Sequence, residues 1–148
     1  MAEIVESIEI SRRPEEVFSY ATDFSRFPEW QGSVVSAHRE AHASLAVGSR
    51  AVVTRQVGRR QLAGTEQITE LHPPNAWAVR GIGGLIVTTA KATIEPLDRG
   101  QRSRVTITLA FEGRGIGRLL VPLAVRRQAR RQLPQNEQRL KEVLERGA

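Results

Sequence analysis

The sequence predicts an α+β domain in which a seven-stranded, curved antiparallel sheet grips one long C-terminal helix. Segments with strand character follow one another between Val34 and Phe111, whereas helical patterns are confined to residues 14–30 and 116–145. A single long helix can cover a sheet of this size only if the sheet curls around it. Curling leaves a space between sheet and helix, so the contents of that space should decide what the protein does.

Length, composition and cysteine content are those of an ordinary globular domain. The 148 residues suit one domain, and 40% hydrophobic with 26% charged residues is a usual balance. The absence of cysteine excludes a disulfide framework and a thiolate metal site. The longest apolar run, residues 119–125, is interrupted by Pro122 and is far shorter than the ~20 residues of a membrane-spanning helix. From the length we expect a single domain over residues 1–148. The N-terminus carries acids instead of the apolar core of a secretory signal, so we expect this domain to lie in the cytoplasm.

Alternating apolar and polar residues mark the individual strands, and turn residues separate them. Residues 58–60 and 98–100 have the composition of hairpin turns. Pro73 and Pro74 must end a strand, because proline cannot donate to a sheet ladder. The predicted strands cover residues 3–10, 34–39, 51–57, 61–71, 77–81, 85–95 and 104–112.

Prolines and capping residues organise the predicted helices. Pro14 suits the first position of a short helix, and Asp23 can cap a second short helix before Trp30. In the long C-terminal segment two apolar sectors meet at Pro122, which predicts a kink there, and Pro134 predicts a second bend. The main apolar sector of this helix comprises Val121, Val125, Ala129, Leu133, Leu140 and Val143.

Strand parity predicts which residues face the space under the helix. In residues 85–95 the charged Lys91 and Glu95 mark the outer face, which turns the small even-numbered residues inward. Trp77 could be a cavity wall or a core residue, whereas Trp30 is favoured as a hydrophobic plug. The candidate ligand-binding residues are Val53, Arg55, Glu66, Ile68, Trp77, Val79, Thr88, Ala90, Ile107, Leu109, Val125 and Ala129.

Two of these candidates, Arg55 and Glu66, could also carry chemistry. Arg55 shares its predicted face with Val53 and could bind a ligand carboxylate or phosphate, unless the strand has the opposite parity or the side chain reaches only the rim. Glu66 could pair with Arg55 across the sheet or act as a general base, and a structural ion pair is the simpler interpretation. Because these are the only catalytic candidates, binding without catalysis is favoured.

The net charge of +6 lies entirely in the C-terminal segment. Residues 1–113 contain 13 basic and 13 acidic residues, whereas the remainder contains nine basic and three acidic residues. Arg126, Arg127, Arg130 and Arg131 crowd into little more than one turn. They could contact an anionic membrane or nucleic acid, or form a solvated helix face. No aromatic residue lies among them to stack on bases, which disfavours nucleic acid.

Common metal, nucleophile and cofactor motifs are missing from the sequence. His38 and His42 could share a strand face, but no nearby carboxylate or cysteine completes a ligand set. There is no Gly-x-Ser-x-Gly elbow, and the glycines at positions 113, 115 and 117 lack the spacing of a dinucleotide-binding loop. We therefore expect neither a metal nor a cofactor.

Short motifs along nearly the whole chain carry a family resemblance. They are Arg-Pro-Glu-Glu-Val-Phe at 13–18, Phe-Pro-Glu-Trp at 27–30, Val-Gly-Ser-Arg at 47–50, Glu-Leu-His-Pro-Pro at 70–74, Ser-Arg-Val-Thr at 103–106 and Arg-Arg-Gln-Leu-Pro at 130–134. In this order they resemble the START-like (helix-grip) superfamily, specifically its polyketide cyclase/dehydrase and lipid-transport (SRPBCC) branch.

The resemblance implies a deep apolar cavity that holds a hydrophobic or amphipathic, lipid- or polyketide-like small molecule. It leaves two alternatives open. One is an enzyme of the cyclase, aromatase or dehydratase type that acts in the same cavity. The other is an interaction protein that uses its basic C-terminal helix.

Overall fold

The computed structural model describes residues 3–41, 43–82, 86–113 and 123–146. The strands are β1 (Ile4–Ile10), β2 (Val34–Arg39), β3 (Arg50–Val57), β4 (Arg60–His72), β5 (Ala76–Ile82), β6 (Ile86–Leu97) and β7 (Arg102–Gly113). The helices are α1 (Pro14–Ala21), α2 (Phe27–Trp30) and α3 (Leu123–Glu145), with short 3₁₀ turns at Phe24–Arg26 and Asp98–Gly100.

The predicted sheet is confirmed: seven strands form one antiparallel sheet in the order β1-β7-β6-β5-β4-β3-β2. From β2 to β7 each strand pairs with the next one along the chain, while β1 closes the sheet beside β7. Several strands extend beyond their predicted bounds, because the hairpins pair almost to their turns; Leu97 of β6, for example, still pairs with Arg102 of β7. Irregular register near Ser36 and Glu70 interrupts two of the ladders, and such bulges bend a sheet.

The corner before β2 differs from the prediction of one second short helix. Asp23 does cap a turn, since its carboxylate accepts a hydrogen bond from the backbone N–H of Ser25 at 3.0 Å. That turn is a 3₁₀ turn, and α2 follows as a separate single turn. Pro28 explains the break, because it has no N–H to donate back to the preceding turn.

Helix α3 runs through Pro134 without ending there. The predicted kink near Pro122 lies outside the described residues. The buried positions of α3 are Leu133, Glu137, Leu140 and Leu144, while the predicted Val143 packs at the edge of the core. At 23 residues, α3 is ~34 Å long, enough to cross the sheet.

The C-terminal half of α3 is tied to β1, and these ties set the helix direction. The Lys141 ammonium donates to the carbonyl oxygen of Glu9 at 2.9 Å, and the Ser11 N–H donates to the Glu145 carboxylate at 2.8 Å. Helix and strand therefore run side by side in the same direction. The first half of α3 must then lie toward the end of the sheet where β1 begins.

One residue beside an ion pair on the outer face departs from simple alternation. Lys91 and Glu95 are exposed there, as predicted, whereas Val87 on the same face of β6 is only 1% exposed. Arg80 of β5 reaches across β6 to Glu112 of β7, with 3.6 Å between guanidinium and carboxylate. Val87 pairs directly with Glu112 in the ladder, so it is a neighbour of this bridge.

Candidate ligand-binding cavity

A cavity of about 440 Å³ lies between the inner face of the sheet and α3. The corner formed by α1 and α2 contributes one side, through Ala21, Phe27 and Trp30. Ligand sites in proteins typically span ~300–1,000 Å³, so the space is large enough for a small organic molecule.

Most of the residues predicted from strand parity line this cavity. Those that do are Val53, Arg55, Glu66, Trp77, Val79, Thr88, Ala90, Ile107 and Leu109. Ile68 is instead buried in the core, and Ala129 packs at the core edge without lining the cavity. Ile68 pairs with Val79 in the ladder and belongs to the buried core cluster. The side chain of Val125 lies outside the described residues.

The floor of the cavity combines small and large apolar residues from β6 and β7. Ala90 pairs with Leu109, and Ala92 pairs with Ile107, so each large side chain faces a small one across the ladder. Paired large residues would meet α3 and fill the space. The alternation leaves a concave apolar surface instead.

Aromatic side chains form the wall next to the α1–α2 corner. Trp77 lines the cavity and receives the ring of Phe18 at 5.5 Å in an edge-on arrangement. Trp30 also lines the cavity while its ring packs on Phe27 at 5.9 Å. Both indoles are nearly buried, so each is a core residue and a cavity wall at once. The interpretation of Trp30 as a plug is therefore incomplete.

Arg55 and Glu66 form a polar patch on the β3–β4 side of the cavity. An Arg55 Nη donates to the Glu66 carboxylate at 2.9 Å and to the Gln31 side-chain oxygen at 3.2 Å. The other Nη donates to the Ser33 hydroxyl at 3.1 Å. Arg55 thus faces inward, and its interpretation as an outward residue is wrong.

Gly64 lies on β4 between the ladder partner of Arg55 and Glu66. In the ladder Val53 pairs with Gly64, Arg55 with Leu62 and Ala51 with Glu66, so Arg55 reaches diagonally along the sheet to meet Glu66. A Cβ at Gly64 would meet no atom within 4 Å, which shows that the surface above it is open.

Residues of the helices add to the site in a way that strand parity does not reveal. Asn136 and Leu133 of α3 line the cavity opposite the sheet. The Asn136 side-chain oxygen accepts from the Gly32 N–H at 3.0 Å, which ties α3 to the loop after α2 and leaves the amide nitrogen for other partners. The only sequence signal for Asn136 is its position one residue from the buried stripe of α3.

Glu137 is a buried acid that sequence inspection missed. It is 1% exposed, and neither carboxylate oxygen has a hydrogen-bond partner within the described residues. Burial, and secondarily the nearby Glu6 carboxylate on β1, raises the pKa of Glu137 to about 8. Its helical spacing from Leu133 and Leu140 could have placed it on the buried stripe. Glu137 does not line the cavity.

The described ranges offer neither a metal site of acidic, histidine or cysteine residues nor a helix suited to span a membrane. No group of three or more histidine, cysteine, aspartate or glutamate residues there is arranged to hold a metal ion. His42 lies outside those ranges. No helix in the described part of the chain combines the length and apolar character needed to cross a bilayer.

The sheet gripping a long helix defines the START-like class of proteins. The model of the family described as polyketide cyclase/dehydrase and lipid transport matches residues 1–145, and the chain belongs to this family. No curated protein matches the chain in sequence.

Solved structures share the fold at low sequence identity. The TTHA0849 protein of Thermus thermophilus is 20% identical with a TM-score of 0.78, and the match covers 99% of this chain and 100% of that one. A START superfamily protein from Mycobacterium smegmatis is 13% identical with a TM-score of 0.80, covering 99% of each chain. The Zhui aromatase/cyclase from Streptomyces sp. R1128 is 12% identical with a TM-score of 0.80, covering 98% of this chain and 94% of that one. At these identities the likeness establishes the fold alone.

Proposed function

We propose that this protein binds and carries a hydrophobic or amphipathic small molecule in the cavity between sheet and α3. The observation that carries the proposal is the cavity itself, about 440 Å³ of space bounded mainly by apolar side chains. Empty space of this size costs packing energy. A stable domain that keeps such space therefore fits a ligand-binding role better than a purely structural one.

The distribution of polar groups supports an amphipathic ligand. The floor formed by β6 and β7 is apolar, whereas Gln31, Arg55 and Asn136 gather hydrogen-bonding groups on the opposite side. Because the charge of Arg55 is balanced by Glu66 at 2.9 Å, this side offers hydrogen bonds without a large net charge. We expect the apolar body of the ligand on the floor and a hydroxyl, carbonyl or similar group at the polar patch.

The names of relatives support a lipid- or polyketide-like ligand. The family description includes both lipid transport and polyketide cyclase/dehydrase, and one solved structure with this fold is called an aromatase/cyclase. Both kinds of molecule are largely apolar and carry oxygen atoms, as the cavity favours.

A direct test is native mass spectrometry of the purified protein, followed by binding of the neutral apolar dye Nile red. We expect a bound small molecule that is lost on denaturation, or dye binding by the emptied protein. Ala90→Phe should fill the cavity and abolish dye binding. Thr93→Phe is the matched control, since Thr93 is exposed on the outer face of the same strand. Equal dye binding by both variants, or no binding by the wild type, would overturn the proposal.

A second candidate function, cyclisation or dehydration of a bound substrate, is favoured by one observation. Glu66 is a carboxylate on the cavity wall, held beside the Arg55 guanidinium, and such reactions need a group that moves a proton at the substrate. Arg55→Ala and Glu66→Gln should leave Nile red affinity nearly unchanged in a carrier. In an enzyme, the Glu66→Gln variant should instead retain the unconverted substrate. For a dehydration, that substrate is heavier than the product bound by the wild type by the mass of one water molecule.

A further inference from the structure

Three apolar side chains at the cavity rim are exposed to solvent. Val57, Leu62 and Ile82 line the cavity, yet they are 45%, 54% and 41% exposed. Val57 and Leu62 lie at the β3–β4 hairpin, on the inner face of the sheet. On that face apolar residues normally meet the core. Here they are left exposed by the described part of α3, so they form an apolar mouth.

Exposed arginines lie at the same end of the molecule. Arg59 and Arg60 form the tip of the β3–β4 hairpin, and Arg127, Arg130 and Arg131 are exposed on the first half of α3. No acidic residue occurs in residues 57–65 or 123–136. None of the five arginines forms an ion pair with a carboxylate of the described ranges.

Helix direction and strand register bring these two sets of arginines to one side. Because Lys141 contacts Glu9, the first half of α3 lies toward the start of β1, where Ile4 pairs with Leu109. From there β7 runs on to Gly113, which pairs with Ile86 at the start of β6. Ile82, at the end of β5, belongs to the same end of the sheet. The cavity is lined both by Leu62 of the hairpin and by Leu133 of α3, so its mouth lies between the arginine groups.

We propose that the mouth, defined by Val57, Leu62 and Ile82 with Arg59, Arg60 and the arginines of α3, docks onto an anionic lipid surface. The apolar side chains enter the interfacial layer, while the guanidinium groups bind lipid phosphates and carboxylates. Guanidinium groups suit this role because they form paired, charge-assisted hydrogen bonds with such oxygens. Docking in this orientation turns the cavity opening toward the bilayer.

The mixture of apolar and basic residues favours lipid over nucleic acid as the partner. Nucleic acid supplies phosphates for the arginines, but single strands are also bound by aromatic stacking. Residues 57–65 and 126–131 contain no aromatic side chain. The exposed Leu62 and Ile82 would gain nothing from a phosphate backbone, whereas a lipid interface removes them from water.

Vesicle sedimentation tests the proposal without knowledge of any cargo. The wild type should bind vesicles of phosphatidylcholine with phosphatidylserine, should bind phosphatidylcholine alone much more weakly, and should lose binding as salt is raised. Arg59→Glu/Arg60→Glu should weaken binding at least about tenfold. Arg99→Glu is the matched control, because Arg99 is an exposed arginine in the β6–β7 turn at the opposite end of the sheet.

A second double variant separates insertion from charge. Leu62→Asn/Ile82→Asn keeps every arginine, so it should weaken vesicle binding while leaving its salt dependence in place. The variants change exposed side chains, and unchanged thermal midpoints will show that they fold. The proposal would be overturned if the wild type did not bind anionic vesicles. It would also be overturned if Arg99→Glu lost as much vesicle binding as Arg59→Glu/Arg60→Glu. Tighter binding of the wild type to a DNA duplex than to anionic vesicles would overturn it as well. Nile red binding is measured separately, so a failure of docking is distinguishable from a failure of the carrier function.

Discussion

The two halves of α3 have opposite surroundings. The C-terminal half buries Leu140 and Leu144 and is tied to β1 by Lys141 and Glu145. The first half exposes three arginines at the cavity mouth, where neighbouring strands leave apolar side chains uncovered. Within the described residues, one end of the sheet–helix interface is thus closed by packing and the other, the open end, leaves apolar side chains exposed. Folding energy should come mainly from the closed end and ligand or surface contacts from the open end.

The largest expected effect is loss of packing at the closed end. Leu140 is fully buried, so Leu140→Ala should destabilise the protein by about 2–5 kcal/mol through lost burial and the cavity left behind. Arg130→Ala, on an exposed position ten residues earlier in the same helix, should stay within about 0.5 kcal/mol. Chemical denaturation of both variants measures the difference, and equal effects would contradict the division between the halves.

Glu137 should make the closed end sensitive to pH. Its pKa is raised to about 8 by burial and then by Glu6, so the folded protein retains a proton that the unfolded chain releases near pH 4.5. Stability from this group is therefore greatest at low pH and falls as pH rises toward 8, by up to about 1.4 kcal/mol per pH unit.

Glu137→Gln cannot ionise, so the variant should lack this component of the pH dependence and gain stability relative to the wild type with rising pH. Unfolding free energies measured across that range test the expectation. Parallel pH profiles for the two proteins would show that Glu137 is ionised in the folded state.

A smaller effect is expected from the tie between α3 and β1. The Glu145 carboxylate accepts from the Lys141 ammonium at 2.6 Å and from the Ser11 N–H, and these contacts, led by the Lys141 hydrogen bond, lower the pKa of Glu145. Its contribution is thus present above the ordinary carboxyl pKa and is lost as pH falls through the lowered folded value. Glu145→Gln should lower the unfolding free energy by about 1 kcal/mol at neutral pH. An unchanged thermal midpoint would show that the contacts of Glu145 do not stabilise the fold.

The smallest effect on folding is expected at the open end. Leu62 is 54% exposed, so Leu62→Asn should change the unfolding free energy by less than about 0.5 kcal/mol. The exposed Leu62 contributes little to the core. Chemical denaturation measures this change. If Leu62→Asn lowered the unfolding free energy by several kcal/mol, Leu62 would be packed in solution and the mouth would be closed.

Periodicity predicted the strands and the inner face because it reports local geometry. Charged Lys91 and Glu95 identify the outer face of β6, and the same alternation brings Thr88 and Ala90 to the cavity. Arg55 could not be assigned from its strand alone, since its orientation depends on Glu66, Gln31 and Ser33 from other elements.

Residues contributed by helices were harder to predict than those contributed by strands. A strand residue points to one of two faces, whereas a helix residue near a stripe edge can contact core, cavity or solvent. Asn136 and Trp30 line the cavity because of how α2 and α3 meet. Glu137 follows the apolar spacing, yet residue type alone favours an exposed position for a glutamate.

Local periodicity and residue chemistry were enough to predict the order of strands and helices, the inner face of the sheet and the uneven charge of the chain. Tertiary structure decided the cavity volume, the pairing of Arg55 with Glu66, the burial of Glu137 and the open end of the grip. Each of these depends on the distance between elements remote in sequence. That distance is set by how side chains from several elements pack together, which no single segment encodes.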